Sequence, residues 1–499
     1  MDTSYLDANI TYLSELLNNY ENYIEKMVLV SGWIKFFRVS GGKGNQIGFV
    51  KLNDGTGLKQ LQIIFDVANL SEESKEYFDD IYKKGMTGMS IKVYGKIVKS
   101  PAKGQPIEMI AKTYQIIGNV MEPETYPITK NKLQLDFLRT IPHLRVRTDT
   151  FLAINRIKSV LRKAMADYFE LNNFLEVQVP LITDNECESG ACPFIVTSLP
   201  LKDNKVDFSK DFFKKQVYLT VSGQLHLEAI VCGGVNKAWT MTTAFRAEPS
   251  TGPKHLGEFW MAELEMCFSK LEDNMRINEE CIKYCFRSVL EKCRTELDFF
   301  ETSKSGLIKM LEKYVNQPFI ITTHEECVRR MLEDIKNKKA KVKADKKLSD
   351  TKVSVMKDFP KYDDDLTKDH ERYITEVLYE GMPVFVRYFP KKVKAFYMPV
   401  IDKGNEVEHV DGFDLLFPEI GEIVGGSQRI SDYNELLERM KEQSIKPETL
   451  EFYTDLRKYG SIPHGGSGIG FDRLLLCCSG LQNIRDMVPF PRSFEQCYN

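Results

Sequence analysis

The 499-residue chain has only seven histidines, and none of its cysteines form a CxxC pair. Cys187, Cys192, Cys232, Cys267, Cys281, Cys285, Cys293, Cys327, Cys477, Cys478 and Cys497 are scattered, so no structural zinc site is expected. Eleven is an odd number, which suits free thiols in a reducing compartment better than a secreted disulfide scaffold. No apolar run approaches the length that crosses a bilayer. The first residues, MDTSYLDANITYLSELLNNYENY, lack the basic start and apolar stretch of a secretory signal and the arginines of a transit peptide, and a cytoplasmic location is expected. There is no GxGxxG fingerprint, no Walker GK[ST] and no internal repeat. A net charge of −3 offers no general attraction for nucleic acid.

The charge is unevenly spread. Residues 26–120 hold fourteen Lys/Arg against eight Asp/Glu, so this stretch carries +6 and the remainder −9. A basic module on an acidic body can still draw a phosphate backbone. Residues 6–26 read as a short amphipathic helix. VLVSGWIKFF, IGFVKLND, LKQLQIIF, SIKVYGKIV and TYQIIGNV are short, β-branched and aromatic, with Gly-rich or Asp-Gly turns. With the helical insert SEESKEYFDDIYKKG, they suggest a small OB-like barrel. MEPETYPITKNK reads as a linker. The long helical pattern TFLAINRIKSVLRKAMADYFELNNF follows, and helices and strands then alternate. The expected layout is an N-terminal helical extension (1–26), a barrel (27–120), a hinge (121–140) and a large α+β domain (141–499). A Lys-rich insertion near 336–350, NKKAKVKADKK, is either a basic nucleic-acid contact or a solvated surface segment.

Three separated segments carry chemistry. In FELNNFLEVQVPLIT a helix ends and a strand is broken by Pro180, which cannot donate to a sheet ladder and marks an edge or an interface. In TAFRAEPSTGPKHLGEFWMAELEMCF two strands flank a loop. Arg246 and Glu248 share one face there, Lys254 and His255 lie in the loop, and Phe259 starts the return strand. A guanidinium on a rigid strand suits phosphate, and an aromatic beside it could stack on a purine. In HGGSGIGFDR the glycines let a backbone approach a ligand closely before Arg473 opens an apolar helix.

In this order, the three segments resemble motifs 1, 2 and 3 of the class II aminoacyl-tRNA synthetases. GWIKFFR…FVKLNDGT…LQIIF resembles the anticodon-binding barrel of the aspartyl/asparaginyl/lysyl subgroup. The resemblance implies an OB-fold barrel followed by a catalytic domain built on an antiparallel sheet flanked by helices. It also implies ATP as substrate with Mg²⁺, tRNA as partner, and a homodimer with Pro180 at its interface. Arg246 would meet the α-phosphate and Arg473 the γ-phosphate, with Lys254, His255, Leu256 and Gly470 around them. Phe259 would stack under adenine and Glu248 would read its amino group. Glu422, assisted by Asp414, would hold Mg²⁺, both having surface charge as their plainer reading. YLTVSGQLHLE, YDDDLTKDHERYITE, RYFPKKVKAFYM and GEIVGGSQR resemble the asparaginyl rather than the aspartyl enzymes. Leu227 stands where aspartyl enzymes usually carry a lysine facing the substrate carboxylate, which favours a neutral amide. Glu188, Ser222, Gln224 and Arg429 would line the amino-acid pocket, with Glu228 or an ordered water accepting from the amide NH₂. Phe36, Arg38, Phe49 and Gln62 are either anticodon contacts or barrel core. Lys254 and Asp472 depart from the family pattern, which usually has Arg and Glu there. An aspartyl or dual-specificity synthetase, an asparagine synthetase relative on the same catalytic fold and a non-catalytic nucleic-acid-binding descendant are the competing readings.

Overall fold

The computed structural model describes residues 8–41, 46–76, 86–128, 133–184, 192–200, 206–342 and 355–497. The chain divides into two compact units, the first running to Arg156 and the second from Ile157.

The first unit is built on five strands: β1 (Met27–Ser40), β2 (Ile47–Asn53), β3 (Leu61–Asp66), β4 (Ser90–Lys99) and β5 (Ile107–Gly118). They close into a barrel in the order β1-β2-β3-β5-β4, with β3 and β5 parallel. Strand alternation sends Val50, Ile63, Val93 and Met109 into a common core. Leu13 and Leu16 of helix α1 (Leu13–Asn18) pack on that core. The helix expected over 6–26 is shorter than its apolar pattern: after Asn18 the chain makes only a 3₁₀ turn at Tyr20–Tyr23. Two successive asparagines, which compete with the backbone for hydrogen bonds, end it.

The second unit is an α+β layer structure. Its main sheet uses β6 (Leu175–Glu176), β7 (Lys237–Phe245), β8 (Glu258–Cys267), β9 (Ile320–Thr323), β10 (Val384–Arg387), β11 (Gly412–Phe417), β12 (Gly421–Gln428) and β13 (His464–Gly470). Their order is β9-β10-β11-β12-β13-β8-β7-β6. The interior pairs are antiparallel, and a parallel strand joins at each edge, β9 on β10 and β6 on β7. Helix α2 (Asp149–Leu171) precedes the sheet, and α3 (Gln224–Cys232) leads into β7. Helix α4 (Leu271–Lys292) reaches the back of β13, where Asn278 Nδ2 donates to Ser467 Oγ at 2.8 Å. The period of two then puts Gly466, Gly468 and Gly470 on the opposite, open face. Among the described residues, no helix is long and apolar enough to cross a membrane.

Candidate active site

Strand β7 ends at Phe245, and Ala244 pairs with Phe259 on β8. Arg246 follows at once, its N–H donating to Gly257 O at 3.0 Å, which pins the mouth of the connecting loop. The chain near the C-terminus ties the loop down further. Gly257 N–H donates to Arg492 O at 2.7 Å, and Ile484 N–H donates to Pro253 O at 2.9 Å. The result is a cleft of about 700 Å³ lined by Arg246, Glu248, Lys254, His255, Leu256, Phe259, Glu422, Gly470 and Arg473. All nine residues expected around a nucleotide therefore share one hollow. Trp260, Met261, Ile423, Gly468, Asp472 and Ile484 complete its lining.

Cations dominate one side. The Arg246 guanidinium lies 5.5 Å from the Phe259 ring centroid, so the ring already supports one planar π group. Arg473 Nη1 donates to the Glu422 carbonyl at 2.6 Å, which aims this guanidinium across the cleft. Lys254 Nζ is buried without a hydrogen-bond partner. Burial and the neighbouring Arg473 charge push its pKa down to about 8. Burial and Lys368 also lower His255, whose Nδ1 lies 3.1 Å from Ser250 Oγ. An unpartnered ammonium beside two guanidiniums is costly unless an anion arrives.

Acids dominate the other side. Glu422 Oε1 and Asp414 Oδ1 would lie 3.0 and 3.7 Å from a side-chain carbon at Gly425. The missing side chain thus leaves a cradle between two carboxylates. Burial first, then the charges of Glu422 and Asp414, raise Glu371 to about 8. Burial and Glu422 raise Asp414 to about 7 despite Lys394, whose Nζ donates to Asp414 Oδ2 at 2.6 Å. Asp414 is thus already paired with a lysine, and Glu422 is the carboxylate left facing the cleft. Among the described residues, no three acidic, histidine or cysteine side chains are grouped to hold a metal by themselves. Such a set fits Mg²⁺, which takes one or two carboxylates and completes its shell with phosphate oxygens and water.

Beyond the cleft, strand β8 carries the site inward. Phe259, Met261, Glu263 and Glu265 fall on one face by alternation, and the last two are fully buried. Glu263 accepts from Ser222 Oγ at 2.5 Å and from Gly223 N–H at 3.0 Å. Glu265 accepts from Arg429 Nε at 3.2 Å, Arg429 Nη2 at 3.1 Å and Gln224 Nε2. Only glycine fits at 466, because a side-chain carbon there would collide with Glu265 and with Leu264 O. Glu228 Oε2 accepts from Arg457 Nη2 at 2.8 Å, Tyr453 OH at 2.7 Å and His464 Nε2 at 3.1 Å. Its Oε1 has no hydrogen-bond partner and lies 3.6 Å from Arg429 Nε. Burial works against the Glu228 charge, but His464, Arg457 and Arg429 outweigh it and hold the carboxyl well below the usual range. Leu227 packs among Val179, Val231 and Ala238, so that position supplies neutral core.

The chain was compared with known proteins. Residues 134–494 match the model of class II tRNA synthetases (D, K and N), and residues 28–117 match the OB-fold nucleic acid binding domain. The chain belongs to the class II tRNA synthetases. It is 39% identical over 477 residues to the asparagine–tRNA ligase of Borreliella burgdorferi, covering 94% of this chain and 96% of that one. It is 39% identical over 489 residues to that of Cytophaga hutchinsonii, covering 96% and 98%. The crystal structure of asparaginyl-tRNA synthetase from Pyrococcus horikoshii complexed with asparaginyl-adenylate superposes with a TM-score of 0.81 at 30% identity, covering 98% of this chain and 100% of that one.

In this synthetase the remaining candidates fall as follows. Glu188 lies outside the described residues, but Cys192, just after it, accepts from Ala247 N–H at 2.7 Å beside Arg246. Most of the Lys-rich insertion also lies outside them. Pro180 is exposed, next to exposed Leu181 and Ile182. On the barrel, Arg38 pairs with Phe49 and Phe36 with Lys51, and Lys51 pairs with Gln62. These four candidates thus share the outer face, with the Arg38 guanidinium 5.3 Å from the Phe49 centroid, while Phe37, Val50 and Ile63 fill the core. The residues that sequence reasoning missed are Glu265, Arg457, Tyr453, Lys394 and Glu371. Counting twos from Phe259 would have found Glu265. The others sit on elements whose spacing carries no signal.

Proposed function

We propose that this synthetase activates L-asparagine with ATP to asparaginyl-adenylate and diphosphate, then esterifies the asparaginyl group to the 3′-terminal ribose of tRNA(Asn), releasing AMP. The observation that carries it is the run of one strand face, Phe259 to Glu265, from a polycationic cleft to the buried polar cluster of Ser222, Gln224, Glu228 and Arg429. The asparagine carboxylate attacks the α-phosphorus in line, the P–O bond to the β-phosphate breaks, and no protein nucleophile is consumed. Arg246 stabilises charge on the α-phosphate, and Arg473, Lys254 and His255 receive the β- and γ-phosphates. Glu422, with Asp414 behind it, would hold Mg²⁺, which supplies charge neutralisation on phosphate oxygens when bound. Phe259 stacks on adenine and Glu248 takes its amino group. Ser222, Gln224 and Glu188 orient the amino acid.

The choice of asparagine follows from charge. Arg429 is already opposed by Glu265 and Glu228, and Leu227 offers no second cation. A substrate carboxylate would add a third buried negative charge beside Glu228 and Glu265, which already engage Arg429, Arg457 and His464. A neutral amide instead accepts one of the Arg429 N–H groups left over and donates to the open Glu228 Oε1. The outer face of the barrel reads the anticodon through Phe36, Arg38, Phe49 and Gln62, two chains pair through the edge around Pro180, and the protein works in the cytoplasm. An asparagine synthetase relative needs no such barrel. The test is parallel charging of total tRNA with labelled asparagine and aspartate. Asparagine-only charging is expected, and preferential charging with aspartate would overturn the assignment.

A further inference from the structure

The segment YDDDLTKDHERYITE has no part in the chemistry above, yet it forms a short helix at the acid side of the cleft. Helix α5 (Lys368–Tyr373) is held on every side. Thr367 caps it by accepting from His370 N–H at 3.4 Å, and His370 Nδ1 accepts from Thr367 N–H at 3.2 Å. His370 Nε2 meets Asp358 O at 2.9 Å, and Tyr373 OH donates to Asp334 at 2.9 Å. The chain then continues as a π-helical turn, Ile374–Leu378, an irregularity often kept for a functional reason. Thr375 Oγ1 donates to Glu371 O at 2.9 Å, which fastens the turn that holds Glu371 beside Glu422 and Asp414.

Glu371 meets the start of β12. The Gly421–Glu422 backbone lies against its carboxyl group, and the Glu422 N–H works against burial to lower the Glu371 pKa. Gly421, directly before, has φ +88 and no room for a side chain, because a carbon there would strike Glu371 Oε2. The β11–β12 register also slips at Leu415/Leu416, beside Glu422. The ladder is thus weakest where Glu422 must be aimed, and a rigid outside element replaces it.

We propose that Glu371 is a positioning residue for the cation site, fixing the backbone of Glu422 through that N–H so that the Glu422 carboxylate and the Arg473 anchor on Glu422 O both face the triphosphate. The inference rests on reading the cleft as an ATP and divalent-cation site.

The test uses Mn²⁺ with α,β-methylene-ATP on the full-length protein, read by electron paramagnetic resonance, with asparagine binding measured separately by calorimetry. Removing an outer partner of a metal ligand typically weakens metal affinity by about 10- to 100-fold, and E371A is expected in that range with asparagine affinity unchanged. E371Q keeps an acceptor for the N–H and is expected to stay close to wild type. Wild-type Mn²⁺ affinity in E371A, or a loss in E371Q equal to that in E371A, would overturn the inference. If E371A does not fold, E371D, one methylene short of the N–H, is expected to weaken the same binding, and unchanged binding there overturns it. Failure of the wild-type protein to bind Mn²⁺ with the analogue would overturn the reading of the cleft itself.

Discussion

Lys158 and Asp472 close an ion pair at 2.8 Å between the helix that leads into the first motif and the first turn of the helix after β13. The other Asp472 oxygen accepts from Trp260 N–H at 3.0 Å, and the ammonium sits 4.6 Å from the Trp260 ring centroid. This accounts for aspartate where the family usually has glutamate, since one short carboxylate bridges a lysine and a strand backbone beside the cleft. Asp472→Ala strands a buried ammonium and is expected to cost about 3 kcal/mol in urea unfolding. Asp472→Asn keeps an acceptor for Trp260 and is expected to cost less than half of that.

Lys254 ties ATP affinity to pH. Its depressed pKa, about 8, comes from burial and from Arg473. Below that value it is protonated and available to a phosphate, and above it the charge is lost. ATP binding by the wild-type protein is therefore expected to weaken as pH rises through 8, measured by calorimetry. Lys254→Arg restores the usual family residue, stays charged and should flatten that profile. Lys254→Met should be weak at every pH, by about 10-fold or more, in line with loss of a charged hydrogen bond.

His464 gives the fold its own pH signature. Its Nδ1 faces Ile462 O at 2.8 Å and its Nε2 faces Glu228 at 3.1 Å. Both nitrogens meet oxygen acceptors, which favours the imidazolium, while Arg457 Nη2 lies 3.4 Å from Nε2. Burial opposes this charge, but Cys232 and Glu228 outweigh it and raise the pKa to about 10. A folded-state pKa above the unfolded value means stability fully present below about pH 6.5 and lost as pH rises toward 10. His464→Asn is expected to remove that fall. The readout is the wild-type minus variant difference in unfolding free energy across this window.

The parts legible in the sequence are those whose spacing is local. The Phe259 return strand and the glycines before Arg473 announce themselves because a strand has a period of two, whereas Arg246 and Glu248 lie just past the end of β7 at Phe245, not on the strand expected for them. Barrel strands were readable for the same reason, and alternation also separates Phe49 from Val50 once β2 is paired. The acid side was readable only in part. Glu422 and Asp414 came from the family resemblance, whereas Glu371 and Lys394 come from α5 and the segment after β10 and meet Asp414 of β11 only through the sheet order. Arg457 and Tyr453 lie on a distant surface-patterned helix, Glu451–Lys458, whose buried cation no hydropathy pattern marks. Leu227 illustrates a partial success. Its neutrality was visible, but its packing against Val179 was not.

The barrel face should act on tRNA alone. Arg38 over Phe49 offers a charged and aromatic surface outside the core, where stacking is worth about 1–3 kcal/mol per base. Phe49→Ala is expected to raise the KM for tRNA(Asn) about 10-fold or more, the equivalent of that stacking energy. Asparagine-dependent ATP–diphosphate exchange should not change, because adenylate formation needs nothing from the barrel. A loss of exchange would show that the substitution damaged the fold.

Specificity is held by how fully Arg429 is neutralised. Its guanidinium gives Nε and Nη2 to Glu265 and Nη1 to Ser427 Oγ at 2.7 Å, with Glu228 as a second carboxylate. Glu265→Gln removes one negative charge at constant volume and leaves an amide oxygen for Gln224. Arg429 then carries positive charge that only Glu228 opposes, and an aspartate carboxylate becomes easier to accept. The ratio of kcat/KM for asparagine over aspartate in exchange is expected to fall by about 10-fold or more, the effect of about 1.4 kcal/mol of differential stabilisation. The KM for ATP should remain near wild type, since Glu265 lies beyond the cleft on the inner end of β8. A variant that lost activity with both amino acids equally would mean that Glu265 supports the pocket without setting its charge.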